Sequence, residues 1–309
     1  MKRCTTVREA LRWSEEIRKR GFTMGLVPTM GAIHQGHLSL VEASLKECDR
    51  TAVTIFVNPT QFAPGEDLDS YPQPLEEDLN QLRALGVNMV YSPFVREVYP
   101  DAYSTYITVE GLTTMLCGKS RPAHFRGVTT VVCKFFNTFR PDRAFFGLKD
   151  YQQTVVVRRM VRDLDMNIQI RCCPIVREPD GLAMSSRNRY LSPEERQQAL
   201  ALSESLRIAE SMITPDTSPE TIRDIIQNRI SSKPLARIDY IEIRHPETLE
   251  PVTDFDEGAV IALAVIFGKT RLIDNCLIAP GSDPFLSKNF KPASSSHPES
   301  YDIEVDCMR

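Results

Sequence analysis

Short unbroken apolar runs alternate with stretches of helical spacing through the first half of the chain. The opening segment is amphipathic, and Thr6 followed by Glu9 has the spacing of a capping box, which predicts a first helix. Residues 22–28 (FTMGLVP) form an apolar run that ends in proline, with Gly31 close behind, as a buried strand would. From 37 to 48 the apolar residues fall at 38, 40, 41 and 45, a helical spacing, and 51–57 (TAVTIFV) reads as a second buried strand. A strand, a glycine-containing turn, a helix and a strand in that order make one βαβ unit. The alternation continues with a helix at 75–85, a strand at 87–91, helices at 125–139 and 151–163, and strands ending at 146 and 172. It predicts an α/β body, a parallel sheet with helices on both faces.

The texture changes after residue 176. Two helical segments, 193–213 and 219–231, are joined by a breaker-rich stretch at 214–218. Residues 236–244 (ARIDYIEIR) then alternate with period two, and 259–278 (AVIALAVIFGKTRLIDNCLI) reads as further strand. Helices and strands that are grouped, not alternating, predict a smaller C-terminal α+β domain. The expected division is 1–176, 177–285 and a loosely attached tail at 286–309, where Pro292, Pro298 and a serine cluster stand.

Composition narrows the class. The chain has 309 residues, 42% hydrophobic and 25% charged, a globular mixture with room for a sizeable core. A net charge of −4 argues against a nucleic-acid partner, though it leaves room for a local basic pocket. No apolar run approaches the ~18 residues that suggest a membrane span, so no membrane partner is expected. The first residues lack a secretory signal's apolar stretch, and Glu9, Glu15 and Glu16 speak against a transit peptide. Eight cysteines, at 4, 48, 117, 133, 172, 173, 276 and 307, form no C-x-x-C pair. Neither a disulfide framework nor a zinc site is suggested, and reduced thiols in the cytosol are expected.

The chemistry concentrates at 28–37 (PTMGAIHQGH), between the first strand of the βαβ unit and its helix. Ligands of parallel α/β folds bind beyond the carboxyl ends of strands, beside helix N-termini. Gly31 and Gly36 let the backbone approach a ligand closely. His34 and His37 stand three apart at a helix start, so both rings can face one phosphate and donate hydrogen bonds as charge builds on its oxygens. Lys149 and Asp150 follow a strand end; alone such a pair is more often a surface ion pair, and its place after Phe145-Phe146-Gly147 favours a site. The polar run 184–188 (MSSRN) follows the turn Pro179-Asp180-Gly181; it is either a loop able to close over phosphates or an ordinary lead into the next helix. Glu77, Asp78 and Gln81 read as one polar helical face. Arg121 and His124 read as anion-steering groups, with a salt-bridged arginine as the rival reading. Asn58-Pro59 is, by itself, a turn signal.

H-x-G-H after a first strand resembles the nucleotidyltransferase superfamily signature, and PTMGAIHQGH more narrowly resembles the pantoate–β-alanine ligases. Further segments are similar to that family's: FVNPTQF (56–62), RPAHFRGV (121–128), FGLKDYQQ (146–153), MSSRN (184–188) and KTRLIDN (269–275). Leu148 departs from the pattern, standing where many members have Glu. The resemblance implies a Rossmann-like sheet and an ATP-dependent ligase that adenylates pantoate and passes the acyl group to β-alanine, releasing AMP. It implies ATP bound by Met30, Gly31, His34, His37, Gly147, Lys149, Asp150, Val176, Met184, Ser185, Ser186 and Arg187, with His34, His37 and Lys149 catalytic. It places pantoate and β-alanine on Gln61, Gln153, Asn58 and Arg121, and Mg²⁺ near Glu77, Asp78 and Gln81. It also implies a homodimer, to which the apolar faces at 107–116 and 128–139 are expected to contribute. Two other readings stand beside it: a nucleotidyltransferase with a nucleotide-linked product, and a nucleotide-sensing module without catalysis.

Overall fold

The computed structural model describes residues 1–214 and 216–278; the expected tail and the end of the expected second domain lie outside the described residues. Six strands form one parallel sheet in the order β1-β4-β3-β2-β5-β6. They are β1 (Lys2–Cys4), β2 (Met24–Thr29), β3 (Arg50–Ile55), β4 (Met89–Tyr91), β5 (Arg143–Gly147) and β6 (Gln169–Cys173). The central strands β2, β3 and β4 are largely buried because both faces are covered. Leu26, Ala52, Met89 and Ala144 face one core; their successors Val27, Val53, Val90 and Phe145 face the other. Residues alternate across a strand, so a helix layer is needed on each side.

The first core is closed by α1 (Val7–Lys19), α6 (His124–Phe139) and α7 (Tyr151–Asp163). Helix α1 starts at the expected Thr6/Glu9 capping box and buries Ala10, Trp13, Ser14 and Ile17, the i, i+3, i+4, i+7 stripe. The Ser14 hydroxyl donates to the Phe139 carbonyl and ties α1 to the end of α6. The second core is closed by α2 (Gln35–Glu47) and α3 (Leu75–Ala84), through Leu40, Val41, Leu79 and Leu82. The chain builds outward from β2 to β4, then returns to place β5 on the other side of β2. The carboxyl ends of β2 and β5 therefore flank the switch point, where open α/β sheets bind ligands. Two short helices, α4 (Val95–Val98) and α5 (Cys117–Ser120), lie on the connection from β4 to α6.

The later half has three helices, α8 (Pro193–Ala199), α9 (Ala201–Met212) and α10 (Pro219–Ser231), and an antiparallel sheet in the order β7-β8-β9. Its strands are β7 (Ala236–Arg244), β8 (Ala259–Phe267) and β9 (Thr270–Ile278). The expected helix 193–213 is interrupted at Leu200 and forms α8 and α9. Strand β8 is apolar throughout because it is covered twice. Ile261, Leu263 and Val265 join a core with α9 and α10, whereas Val260 and Ala262 join the core of the first sheet. The small sheet is thereby held against the large one.

Candidate active site

A cleft of about 1100 Å³ opens at the switch point, between the carboxyl ends of β2 and β5 and the inner face of β9. His34 is the N-cap of α2, and His37 is its third residue. They form an unusual capping box: the Gly36 N–H donates to His34 Nδ1 at 3.1 Å, and the His34 N–H donates to His37 Nδ1 at 3.4 Å. The rings lie 4.1 Å apart. Because each Nδ1 accepts from the backbone, the neutral ring carries its proton on Nε2, leaving that atom as a donor. A Cβ at Gly36 would lie 2.9 Å from the His34 ring, so only glycine leaves the ring where it is.

Burial first, and then the positive charge of Lys149, pull the His34 pKa down to about 4. Burial also holds His37 well below the usual histidine range, helped by His34 and Lys149. Both rings are therefore neutral near pH 7. Burial likewise lowers His124, to about 4. A buried neutral histidine takes up fewer protons folded than unfolded, so stability falls as pH drops from about 6.5 toward 4. The melting temperature is expected to fall across that window. In His34→Asn, which keeps a capping side chain but does not titrate, the fall should be shallower; an unchanged slope contradicts the assignment.

Lys149 and Asp150 leave the end of β5, and Lys149 Nζ lies 3.9 Å from Asp150 Oδ1 across from the histidines. Gly147, Gln153 and Met30 line the same cleft. Val176 and Met184 form the base of a hairpin, the Met184 N–H donating to the Val176 carbonyl at 3.0 Å. The loop beyond swings over the cleft. Ser185 caps its turn by accepting from the Arg187 N–H, and Ser186 Oγ meets Tyr71 OH at 3.3 Å. Arg187 Nε and Nη2 both donate to the Asp67 carboxylate, at 2.9 and 2.8 Å. Two loops 120 residues apart in sequence thus meet over the opening.

Comparison with known proteins bears on this arrangement. The family description "Pantoate-beta-alanine ligase" matches residues 2–277. The chain belongs to the pantoate–β-alanine ligase family. It is 56% identical over 259 residues to the pantothenate synthetase of Acetivibrio thermocellus, covering 84% of this chain and 92% of that one. The Thermotoga petrophila pantothenate synthetase is 51% identical over 279 residues, 90% of this chain and all of that one. Among solved structures, the pantothenate synthetase of Thermus thermophilus superposes with a TM-score of 0.86 at 43% identity, over 91% of this chain and 100% of that one. The pantoate–β-alanine ligase of Francisella tularensis, at 33% identity and a TM-score of 0.75, covers 90% of this chain and 97% of its own; it was solved with β-γ ATP and β-alanine.

Within this ligase Asn58, Gln61 and Arg121 line the cleft and are also held by one another and by their neighbours. Asn58 is saturated by its own surroundings. Its amide donates to Gln61 Oε1 and the Gly127 carbonyl, and its oxygen accepts from Thr60 and Tyr99. It is the turn residue before Pro59, and it acts by orienting Gln61, whose Nε2 points to Met30 Sδ at 2.9 Å. Arg121 is salt-bridged: Nε and Nη2 both donate to Glu66 at 2.6 Å, and Nη2 also reaches the Gln61 carbonyl. His124 holds that same carbonyl at 2.8 Å. Arg121 and His124 thus shape the Gln61 turn.

The expected magnesium trio does not fit a metal. Residues i and i+1 of a helix point about 100° apart, and Glu77 is exposed while Asp78 is buried. Asp78 accepts the N–H groups of Ala32 and Ile33, at 2.9 and 2.8 Å, one with each oxygen. Neither Glu77, Asp78 nor Gln81 lines the cleft, and no group of three His, Cys, Asp or Glu among the described residues suits a metal. Asp78 instead braces the loop into α2, where Gly31 and Ala32 both have left-handed φ, 84° and 51°. Gly31 lies behind the cleft wall, where a Cβ would come within 3.0 Å of Asp78. Asn at position 78 offers one acceptor in place of two, leaving a buried N–H unpaired at about 1–3 kcal/mol. Asp78→Asn is therefore expected to lose stability of that order and about tenfold in turnover, with the histidines misplaced. A variant of normal turnover contradicts the brace.

Asp67, Tyr71, Tyr240 and Asn275 are cleft residues that sequence reasoning did not single out. Each acts through a partner far away in sequence, and only Asn275 lies in a segment, KTRLIDN, that the sequence marks. The homodimer surface needs correction too. Val109, Leu112 and Leu116, and Val128, Val131, Val132, Phe135, Phe136 and Phe139, are buried in this chain's own first core.

Proposed function

We propose that the cleft joins pantoate to β-alanine at the expense of ATP, in two steps. A pantoate carboxylate oxygen attacks the α-phosphorus, the bond to pyrophosphate breaks, and pantoyl adenylate forms. The β-alanine nitrogen then attacks the acyl carbon; the carbon–oxygen bond to AMP breaks, the ammonium proton is lost, and pantothenate and AMP leave. The observation that carries this reading is the pair of neutral histidines at the α2 N-terminus, facing Lys149 across the switch-point cleft. The β-γ ATP and β-alanine held by the Francisella tularensis relative support it.

No side-chain nucleophile is required: the chain's work is positioning and electrostatics. His34 and His37 present Nε2–H donors to phosphate oxygens, beside the N–H groups of the first turn of α2. Lys149 adds a full charge, and Arg187 receives the leaving pyrophosphate on exchanging Asp67 for it. Gln61 and Gln153 supply neutral donors and acceptors for the hydroxyls of pantoate. Magnesium is the counter-ion of ATP phosphates, but the chain offers it no carboxylate trio among the described residues, and no step above passes through it.

The test is incubation with ATP, pantoate and β-alanine, reading AMP, with each acid or amine omitted in turn. AMP should form only when both are present. A stable nucleotide-linked product favours a nucleotidyltransferase, and ATP binding without turnover favours a sensing module. A cytosolic setting is proposed from the seven free cysteines among the described residues. No helix among those residues is long and apolar enough to cross a membrane. A homodimer is proposed from the family reading, and light scattering on the purified chain tests it.

A further inference from the structure

The segment KTRLIDN forms most of β9, yet none of its side chains has a part in the scheme above. Asn275 is 4% exposed, and its amide nitrogen donates to the carbonyls of both Leu148 and Lys149 at 2.9 Å. Those carbonyls belong to the turn that carries the catalytic lysine out of β5. The Asn275 N–H in turn donates to Asp274 Oδ1 at 2.8 Å. Asp274 is buried and takes both Nη1 and Nη2 of Arg177, at 2.7 and 3.0 Å. Arg177 also donates to the Gly181 carbonyl and pairs across the hairpin with Ala183, next to Met184. One continuous polar chain therefore runs from the lysine turn, through two adjacent residues of β9, to the base of the loop that presents Arg187.

We infer that Asn275, backed by Asp274 and Arg177, is a positioning residue that sets Lys149 against the triphosphate and fixes it relative to the 184–188 loop. This rests on the reading of Lys149 as a phosphate ligand. The physical argument is one of donor count. Two carbonyl oxygens that end side by side at a buried position need two N–H donors in a fixed fork, and among short side chains only the asparagine amide supplies them. Aspartate has the same shape but turns both donors into acceptors, placing oxygen against oxygen. Leu148 makes its contact here through its carbonyl, so the brace does not depend on that side chain.

The test compares binding of ATP and of adenosine by titration calorimetry in Lys149→Ala, Asn275→Asp and the double variant; Asn275→Ser, which keeps one donor, replaces Asn275→Asp if that chain fails to fold. Adenosine reports the base and ribose contacts, and ATP adds the phosphates. Asn275→Asp is expected to weaken ATP about tenfold while leaving adenosine within about twofold, and to add little to the loss in Lys149→Ala, because residues acting as one unit are not additive. A merely structural role predicts equal weakening of both ligands and full additivity, and either result overturns the inference. The ligase reading fails differently, through AMP release by the wild-type chain that does not require pantoate, and that outcome leaves the binding cycle intact.

Discussion

Replacing His37 or Lys149 by alanine is expected to slow pyrophosphate release from ATP and pantoate roughly 100- to 1000-fold, the loss typical of removing one preorganised donor to a developing charge. The fold should survive. His37 supplies half of a helix cap, worth about 1 kcal/mol, and among the described residues the Lys149 side chain makes only a long contact with exposed Asp150. The two losses should differ in their pH behaviour. Lys149→Ala removes one cause that keeps the histidines neutral, so the remaining His34 titrates higher. Activity lost on acidification should then begin to fall at a higher pH than in the wild type. Near-wild-type pyrophosphate release in either variant would remove these side chains from the chemistry.

The second large effect concerns Arg187. Its guanidinium is held by Asp67 in a two-point grip of the kind it would use on a phosphate, so under the proposed function the carboxylate stands in for the leaving group. Arg187→Ala should cost about 100-fold in kcat/KM for ATP, and Arg187→Lys should recover little, since an ammonium cannot form the same fork. Asp67→Asn is expected to act in the opposite sense and lower the KM for ATP, because the arginine no longer has to leave a charged partner. Stopped-flow measurement of pyrophosphate release resolves all three. Equal ATP affinity in Asp67→Asn and wild type would mean that the pair is not opened by the nucleotide.

Much of the fold was legible because both faces of the large sheet are buried. Strands such as β2 and β3 are then buried along most of their length, and the helices between them keep their own period. Strand β1 was not legible: Lys2–Cys4 is three residues long, mostly exposed, and joins the sheet only by pairing with β4, far along the chain. The break at Leu200 was hidden because apolar spacing runs on through it. At the site, His34, His37, Lys149 and the 184–188 loop were legible because each follows directly from a strand end, a helix start or a turn.

What could not be read is set by distant partners. Asn58 caps the turn before Pro59, as its plain reading has it, and lines the cleft as well. Arg121 needed Glu66, and Arg187 needed Asp67, before either could be understood. The structure gives the Glu77, Asp78 and Gln81 assignment no support, because Asp78 is buried with both oxygens spent on the Ala32 and Ile33 N–H groups while Glu77 is exposed. Asp78 belongs with the turn at Gly31 and Ala32, and no spacing rule connects a helix carboxylate to a loop 45 residues earlier.

The central claim is that pantoate is activated through its carboxylate as an acyl adenylate in this cleft. The most direct measurement uses pantoate labelled with ¹⁸O in both carboxylate oxygens, with ATP and β-alanine, and mass analysis of the nucleotide and acyl products. The account predicts one labelled oxygen in the phosphate of AMP and the other in the amide carbonyl of pantothenate. Label in inorganic phosphate with ADP as the nucleotide product, or AMP free of label, would contradict it.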